Sequence, residues 1–114
     1  MDDKTDDLME LCERAVAVYG AEAQLNMVVE ELGELIVAVA HWRRKRVTAD
    51  AILEEMADVQ VMLGQLLAII GTPPKGMIPA QSGSFDDYLR IKRDRLNAMV
   101  TERERLAMAP LAKT

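Results

Sequence analysis

The sequence predicts an all-α protein, and three observations support this fold class. Half of the 114 residues are apolar while only 4% are aromatic, which is typical of helical bundles. Gly and Pro are few, and three of each lie in one segment, GTPPKGMIPAQSGS (71–84). Elsewhere apolar residues recur at helical spacing. We therefore expect a single domain over residues 1–114 that forms a four-helix bundle-like fold, with 71–84 as a loop before the last helix.

The first two helices are predicted to meet at Gly20, a residue suited to a helix C-cap. The first helix is expected from about Asp6 to Tyr19, and the second from Ala21 to Lys45. The second ends in the basic run RRKR (43–46), which favours the negative end of a helix dipole. The apolar positions expected to face inward are Leu8, Leu11, Ala15 and Val18 on the first helix, and Leu25, Val28, Leu32, Leu35, Ile36 and Val39 on the second.

The third and fourth helices have predicted starts at polar residues. Thr48 is a candidate N-cap for a helix that reaches about Ile70. Ser84 and Asp87 have the spacing of a capping box, which opens a fourth helix that runs to about Met108. The apolar positions expected to face inward on the third helix are Ile52, Met56, Val59, Leu63 and Leu66.

Composition and charge argue against several classes of protein. The net charge of -5 argues against a general nucleic-acid binder, because phosphate backbones require basic surfaces. The single cysteine, Cys12, cannot form an internal disulfide, which favours a reducing, cytoplasmic setting. The acidic start is unlike a signal peptide and is expected to fray, and no apolar run is long enough for a membrane span.

An acidic signature occurs twice, in VVEELGELI (28–36) and in ILEEMADVQ (52–60). The first contains Glu31 and Glu34, and the second contains Glu55 and Asp58. Residues three apart lie on the same side of a helix. At about 100° per residue, each pair falls along the same edge of its helix's predicted apolar face. If the two helices pack as neighbours, four carboxylates converge at one end of the core.

Four converging carboxylates favour a bound cation, since two unit charges about 4 Å apart repel by roughly 4 kcal/mol at an effective dielectric near 20. An all-oxygen ligand set suits Mg²⁺ or Mn²⁺. A di-iron site would require Glu-x-x-His pairs, and the single histidine, His41, follows Ala38 by three residues. The alternative is that the acids are ordinary surface residues with good helix propensity. Their matched positions on two helices favour a shared site.

These residues resemble the MazG-like all-α nucleoside triphosphate pyrophosphohydrolases. The likeness rests on EELGE, a basic helix end and EEMAD; it spans about Leu25 to Leu67, with weaker likeness in YLRIKRDRL (88–96). It implies a MazG-type bundle that forms dimers or tetramers, with ExxE and ExxD on two long central helices. It also implies Mg²⁺-dependent hydrolysis of a nucleoside or deoxynucleoside triphosphate to the monophosphate and pyrophosphate. The metal ligands implied by matched position are Glu31, Glu34, Glu55 and Asp58.

The implied reaction requires a charge clamp and an activated water rather than a covalent nucleophile. Bound Mg²⁺ neutralises phosphate oxygens and lowers the pKa of water. One of the four ligand carboxylates, or Glu30 beside them, is the candidate general base. The candidate catalytic residues are therefore Glu30, Glu31, Glu34, Glu55 and Asp58.

Three residues are candidate substrate contacts. Lys92 falls in the middle of the fourth helix's inward stripe, and the resemblance favours a phosphate contact for it; Arg95 lies at the edge of the same face and is a weaker candidate. The alternative for Lys92 is a side chain that extends to solvent. Trp42 lies on the same helix edge as Glu31 and is a candidate to stack on a nucleobase; a buried structural Trp is its alternative. His41 is expected to be a solvated residue at the helix end.

The remaining expectations concern assembly and the class of function. Four helices of these lengths leave apolar surface uncovered, so we expect a homo-oligomer. A catalytically inactive nucleotide-sensing or protein-interaction module is the alternative function, and Mg²⁺-dependent release of pyrophosphate distinguishes the two. A helical hairpin without any site is a third possibility, in which Mg²⁺ has no specific effect on melting. No motif specifies the base or the sugar.

Overall fold

The described chain consists of four helices joined by short connections and one longer loop. The structure, a computed structural model, describes the backbone of residues 4–110 and the side chains of residues 7–110. The helices are α1 (Lys4–Tyr19), α2 (Ala21–Arg43), α3 (Ala49–Gly71) and α4 (Phe85–Met108), and the described residues contain no strand. The prediction of an all-α chain with a loop before its last helix is confirmed. The N-terminus was predicted to fray. Its first three residues lie outside the described residues.

The end of α2 differs from the prediction, because the helix stops at Arg43 and not at Lys45. Lys45 has a φ of 61°, the left-handed conformation that ends many helices. Its N–H donates to Trp42 O, and the next N–H, of Arg46, donates to His41 O. These two bonds form a Schellman motif. Three of the four residues of the basic run, Arg44 to Arg46, therefore belong to the turn, where their side chains are exposed.

The two predicted N-caps have different outcomes. Ser84 and Asp87 form the predicted capping box: the Asp87 N–H donates to Ser84 Oγ at 3.1 Å, and the Ser84 N–H donates to Asp87 Oδ2 at 3.0 Å. The backbone and side chain of Ser84 lower the pKa of Asp87. Thr48 occupies the N-cap position of α3 but makes no side-chain cap. Its hydroxyl donates to Asp50 Oδ2 at 3.4 Å instead.

The chain divides into two units, and each is described by itself. The first covers Met1–Pro79 and contains α1, α2 and α3, where α3 packs against both other helices. The second covers Ala80–Thr114 and contains α4, which buries none of its residues. Among the described residues, no helix combines the length and the apolar character needed to span a membrane.

α2 and α3 form an antiparallel pair with a narrow contact line, which we call the seam. On each helix the seam residues are spaced three or four apart, the pattern of coiled-coil packing. They are Gln24, Val28, Glu31, Leu35 and Ala38 on α2, and Glu55, Val59, Met62, Gln65 and Ile69 on α3, all of them buried or half-buried. Glu31 and Glu55 therefore lie on the contact line itself and not along its edge.

The predicted apolar stripes are wrong at several positions for the same reason. Ile36 is 70% exposed, Met56 is 51% exposed, and on α1 Val18 is 75% exposed. α2 and α3 carry apolar residues on more than one side. The centre of the predicted apolar stripe, averaged around each helix, is therefore rotated away from the seam. At 100° per residue, the displacement is about a quarter of a turn on both helices.

α1 approaches α3 closely at one glycine. Cys12, which is 1% exposed, lies against Gly64, and its thiol donates to Val61 O at 3.5 Å. A Cβ at position 64 would lie 2.7 Å from Cys12 Sγ. Burial raises the pKa of the thiol, so Cys12 stays neutral and acts as a small core residue.

Gly64→Ala should therefore destabilise the protein by about 1–3 kcal/mol, the usual cost of overpacking a core. Gly33→Ala is the matched control, because Gly33 also lies within a long helix and a Cβ there meets no atom within 4 Å. That control should be neutral or should stabilise by about 0.5–1 kcal/mol. Chemical denaturation of both variants measures the difference. Equal stabilities would show that α1 does not approach α3 through Gly64.

Candidate metal centre and adjoining groove

Three of the four predicted ligands lie together in the middle of the seam. Glu31 and Glu34 come from α2, Glu55 comes from α3, and one carboxylate oxygen from each lies within 4.8 Å of the others. The antiparallel pairing causes this approach, because Glu34 and Glu55 occupy the same level of the two helices. Glu31 and Glu55 are half-buried, and Glu34 is exposed.

The carboxylates of the cluster repel one another, and the pKa values of two of them are raised. Glu31 Oε2 and Glu55 Oε2 are buried and have no hydrogen-bond partner among the described residues. Burial, followed by the charges of Glu34 and Asp58, raises the pKa of Glu31 and of Glu55. Each shift reports a carboxylate whose charge is poorly compensated by the protein alone.

Asp58 and Glu30 lie beside this cluster. The oxygens of Asp58 are not part of the mutual 4.8 Å set, but its charge acts on both Glu31 and Glu55. Asp58 is exposed, one turn along α3 from Glu55. Glu30 is exposed as well and lines a groove next to the cluster. All five predicted catalytic residues therefore lie in one region of the α2–α3 pair.

The donor set fits a hard divalent cation. Carboxylate oxygens are the ligands that Mg²⁺ prefers, and opposite ligands in its octahedral shell lie about 4.2 Å apart. The three oxygens lie within 4.8 Å of one another; because adjacent ligands of such a shell are only about 3 Å apart, the acids would draw closer together to share one ion. The two buried oxygens without partners would each gain one. Clusters of exposed acids are nevertheless common without any metal, so the fit alone does not establish binding.

A groove of about 590 Å³ adjoins the cluster and runs toward the turn between α2 and α3. Glu34 and Glu55 belong to both the cluster and the groove. The floor consists of small and apolar residues, and His41 lies half-buried in the lining. The complete lining is Glu30, Gly33, Glu34, Val37, Ala38, His41, Val47, Ala51, Glu54 and Glu55. Ligand sites in proteins have this size and this mainly apolar character.

The predicted substrate contacts lie outside this groove lining. Trp42 is 49% exposed and is not among the lining residues. Lys92 and Arg95 belong to α4, in the second unit, and both are exposed. The roles of all three stay predictions.

Sequence reasoning missed two features of the site. His41 is not a fully solvated helix-end residue, because it lines the groove. Gln24 and Gln65 are 8% and 6% exposed, and the Gln24 side chain donates from Nε2 to Gln65 Oε1 at 2.5 Å. The burial of Gln24 could have been predicted from a seven-residue repeat in the sequence, since Gln24, Glu31 and Ala38 follow one another at that interval.

The raised pKa values predict how stability depends on pH in the absence of metal. The folded form holds the protons of Glu31 and Glu55 more tightly than the unfolded chain, whose pKa is near 4.5. The resulting stabilisation is full below that value and is lost as the pH rises through the raised pKa values. The Glu31→Gln variant should therefore lose less stability than the parent between about pH 4.5 and neutrality.

Melting curves measured in a chelator at several pH values test this expectation. Acids outside the cluster, such as Asp87 with its lowered pKa, contribute equally to parent and variant, so the difference between the two reports on Glu31 and the acids coupled to it. Glu22→Gln, an exposed change near the start of α2, is the control. Parallel pH profiles for parent and Glu31→Gln would show that the cluster does not perturb Glu31.

No comparison assigns the chain to a family. No protein-family model matches it, and neither the characterised proteins nor the solved structures compared with it gave a match.

Proposed function

We propose that this protein is a Mg²⁺-dependent nucleoside triphosphate pyrophosphohydrolase of the MazG type. The observation that carries the proposal is the triad of Glu31, Glu34 and Glu55, with two buried oxygens that lack partners and with Asp58 alongside. These are the residues that the resemblance matches to metal ligands. Mn²⁺ is the other cation that the oxygen ligands suit.

The proposed reaction assigns a role to each carboxylate of the site. Glu31, Glu34, Glu55 and Asp58 would hold the cation, whose positive charge would offset the repulsion between an acidic protein and an anionic substrate. When bound, Mg²⁺ neutralises phosphate charge and lowers the pKa of an attacking water. A carboxylate of the cluster, or Glu30 at the groove, accepts the proton of that water. The water attacks the α-phosphorus, and the bond to the bridging oxygen of pyrophosphate breaks.

The groove supplies a place for the nucleoside. Its acidic end contains Glu34 and Glu55 and would face the metal-bound phosphates, while its apolar floor suits the flat face of a base. His41 offers a ring nitrogen for a hydrogen bond to the base or the sugar. The resemblance adds Lys92 as a phosphate contact. Helix position adds Arg95 as a weaker phosphate candidate and Trp42 as a candidate stacking residue, and these three assignments stay part of the proposal.

Assembly with a second copy of the chain belongs to the same proposal. Several large apolar side chains of the first unit are exposed, including Val29 at 71%, Ile36 at 70% and Leu53 at 60%. Exposed apolar side chains that lie together mark interaction sites, and Val29 and Ile36 are two turns apart on the same side of α2. A homo-oligomer of MazG type, a dimer or a tetramer in the cytoplasm, would cover this surface and complete a four-helix bundle. Sedimentation at micromolar concentration tests the assembly, and a stable monomer would contradict it.

Product analysis tests the reaction. The protein is incubated with a panel of ribonucleoside and deoxyribonucleoside triphosphates, with Mg²⁺, with Mn²⁺ or with chelator. We expect monophosphate and pyrophosphate in equal amounts, formed only with the metal. Orthophosphate and a nucleoside diphosphate would show cleavage at the wrong bond. Nucleotide binding without any turnover would support a sensing module instead.

A further inference from the structure

A buried pair of amides crosses the seam two helical turns from the acidic cluster. Gln24 donates to Gln65 Oε1, and Gln65 Nε2 donates to Met62 Sδ at 3.6 Å. Both glutamines are more than nine-tenths buried. Glutamine seldom occupies a core position, and the amides stay there only because each finds a partner. Leucine at both positions would fill a similar space without that requirement.

The glutamine pair and the acids occupy matching positions on the two helices. Gln24 precedes Glu31 by seven residues, and Gln65 follows Asp58 by seven. Gln24 precedes Glu34 by ten residues, and Gln65 follows Glu55 by ten. Because the helices are antiparallel, the register that places Gln24 opposite Gln65 also places Glu34 opposite Glu55.

We propose that the Gln24–Gln65 hydrogen bond fixes the register of α2 on α3 and thereby positions the carboxylates of the cluster. The apolar part of the seam does not fix the register by itself, since the seam positions of both helices recur every three or four residues and Met62 adapts its shape. A single buried polar group is a known determinant of register between packed helices.

A shift of α2 along α3 by about one helical turn shows which registers the glutamine pair disfavours. Gln24 would then face Val61 or Ile69, and Gln65 would face Val28 or Gly20. Each amide would be buried without its partner, which is unfavourable. A slip of three residues would also separate the amides and would leave only one pair of acids level, Glu34 with Asp58 or Glu31 with Glu55, in place of two. Only the observed register pairs the amides and also places both pairs of acids level, Glu31 with Asp58 and Glu34 with Glu55.

The inference rests on the proposed function for its metal readout, so the experiment also includes a readout that needs no metal. The test variant is Gln24→Leu/Gln65→Leu, which removes both amides and leaves neither unpaired. The single variants Gln24→Leu and Gln65→Leu each leave one buried amide without a partner, so they should melt below the double variant. Gln60→Leu, at an exposed glutamine of α3, is the matched control.

The first measurement uses methyl contacts between Val28 and the seam residues of α3, followed by NMR without metal. The double variant should stay helical and folded but show contacts from more than one register. The second measurement is a Mg²⁺ titration followed by melting temperature. The Mg²⁺ concentration for a half-maximal shift should rise about tenfold in the double variant, as for other groups that orient metal ligands. Gln60→Leu should match the parent in both.

The outcomes separate the register from the function. A double variant with a single parental set of contacts overturns the inference, whatever its response to Mg²⁺. Mixed registers in the variant, with no Mg²⁺ shift even in the parent, would support the register role and remove the metal site. Mixed registers with an unchanged Mg²⁺ affinity would show that the pair does not position the carboxylates, and the inference would fail.

Discussion

Glu34→Gln should abolish most turnover while leaving the metal-free fold at least as stable as the parent. Glu34 belongs to the cluster with Glu31 and Glu55, whose oxygens lie within 4.8 Å of one another. The glutamine side chain keeps the shape of glutamate but lacks its negative charge. Changes to groups that merely support a metal ligand cost about 10–100-fold. We therefore expect the loss of a ligand to lower kcat by at least about 100-fold. Asp58→Asn should act in the same direction.

The opposite effect on stability follows from the same charges. The charge of Glu34 is one of the causes that raise the pKa of both Glu31 and Glu55, so its neutralisation relieves repulsion in the metal-free protein. The melting temperature in chelator should stay the same or rise. Because Mg²⁺ is proposed to bind the folded form at this cluster, it should raise the melting temperature of the parent more than that of either variant.

The control for this pair of measurements is Glu10→Gln, an exposed change on α1. It should keep the parental turnover and the parental Mg²⁺ shift. If Glu34→Gln and Asp58→Asn also keep both, the doubled acidic motif is a solvated helix face and the enzyme proposal fails.

The helices were predictable because their ends are marked by local chemistry. Gly20 has a φ of 92° between α1 and α2, and the Ser84–Asp87 box opens α4; both are signals contained in a few neighbouring residues. The end of α2 was predicted two residues late, because Lys45 adopts a left-handed conformation that is more typical of glycine. Nothing in the run RRKR marks that residue.

The site was only partly predictable, since it depends on which side of each helix faces its neighbour. The spacing of Glu31, Glu34, Glu55 and Asp58 is visible in the sequence, and their approach required only that the two helices be neighbours. The seam was not found, because exposed apolar residues such as Ile36 hid its direction. The role of Gln24 and Gln65 depends on that direction, as does the groove beside His41.

Filling the groove should weaken nucleotide binding without affecting the metal. Ala51 lies in the first turn of α3 and lines the groove, whose volume is about 590 Å³. Ala51→Phe would place an aromatic ring where the nucleoside is proposed to lie. We expect KM for nucleoside triphosphates to rise about tenfold or more, a loss of about 1.4 kcal/mol in binding. The Mg²⁺-dependent melting shift should stay at its parental value, because Ala51 belongs to the groove and not to the cluster.

The matched control is Ala49→Phe, two residues earlier in the same turn, exposed and outside the groove lining. It adds the same ring and should leave KM unchanged. Inhibition by inorganic triphosphate, which has no base or sugar, should be equal in the parent and in both variants. If Ala51→Phe leaves KM at the parental value, the nucleoside does not occupy this groove. If the variant also weakens inhibition by inorganic triphosphate, the ring has disturbed the acidic end, and the groove's apolar floor cannot be assigned to the base. Selective loss of nucleotide affinity would place the phosphates at Glu34 and Glu55 and the nucleoside between α2 and the start of α3.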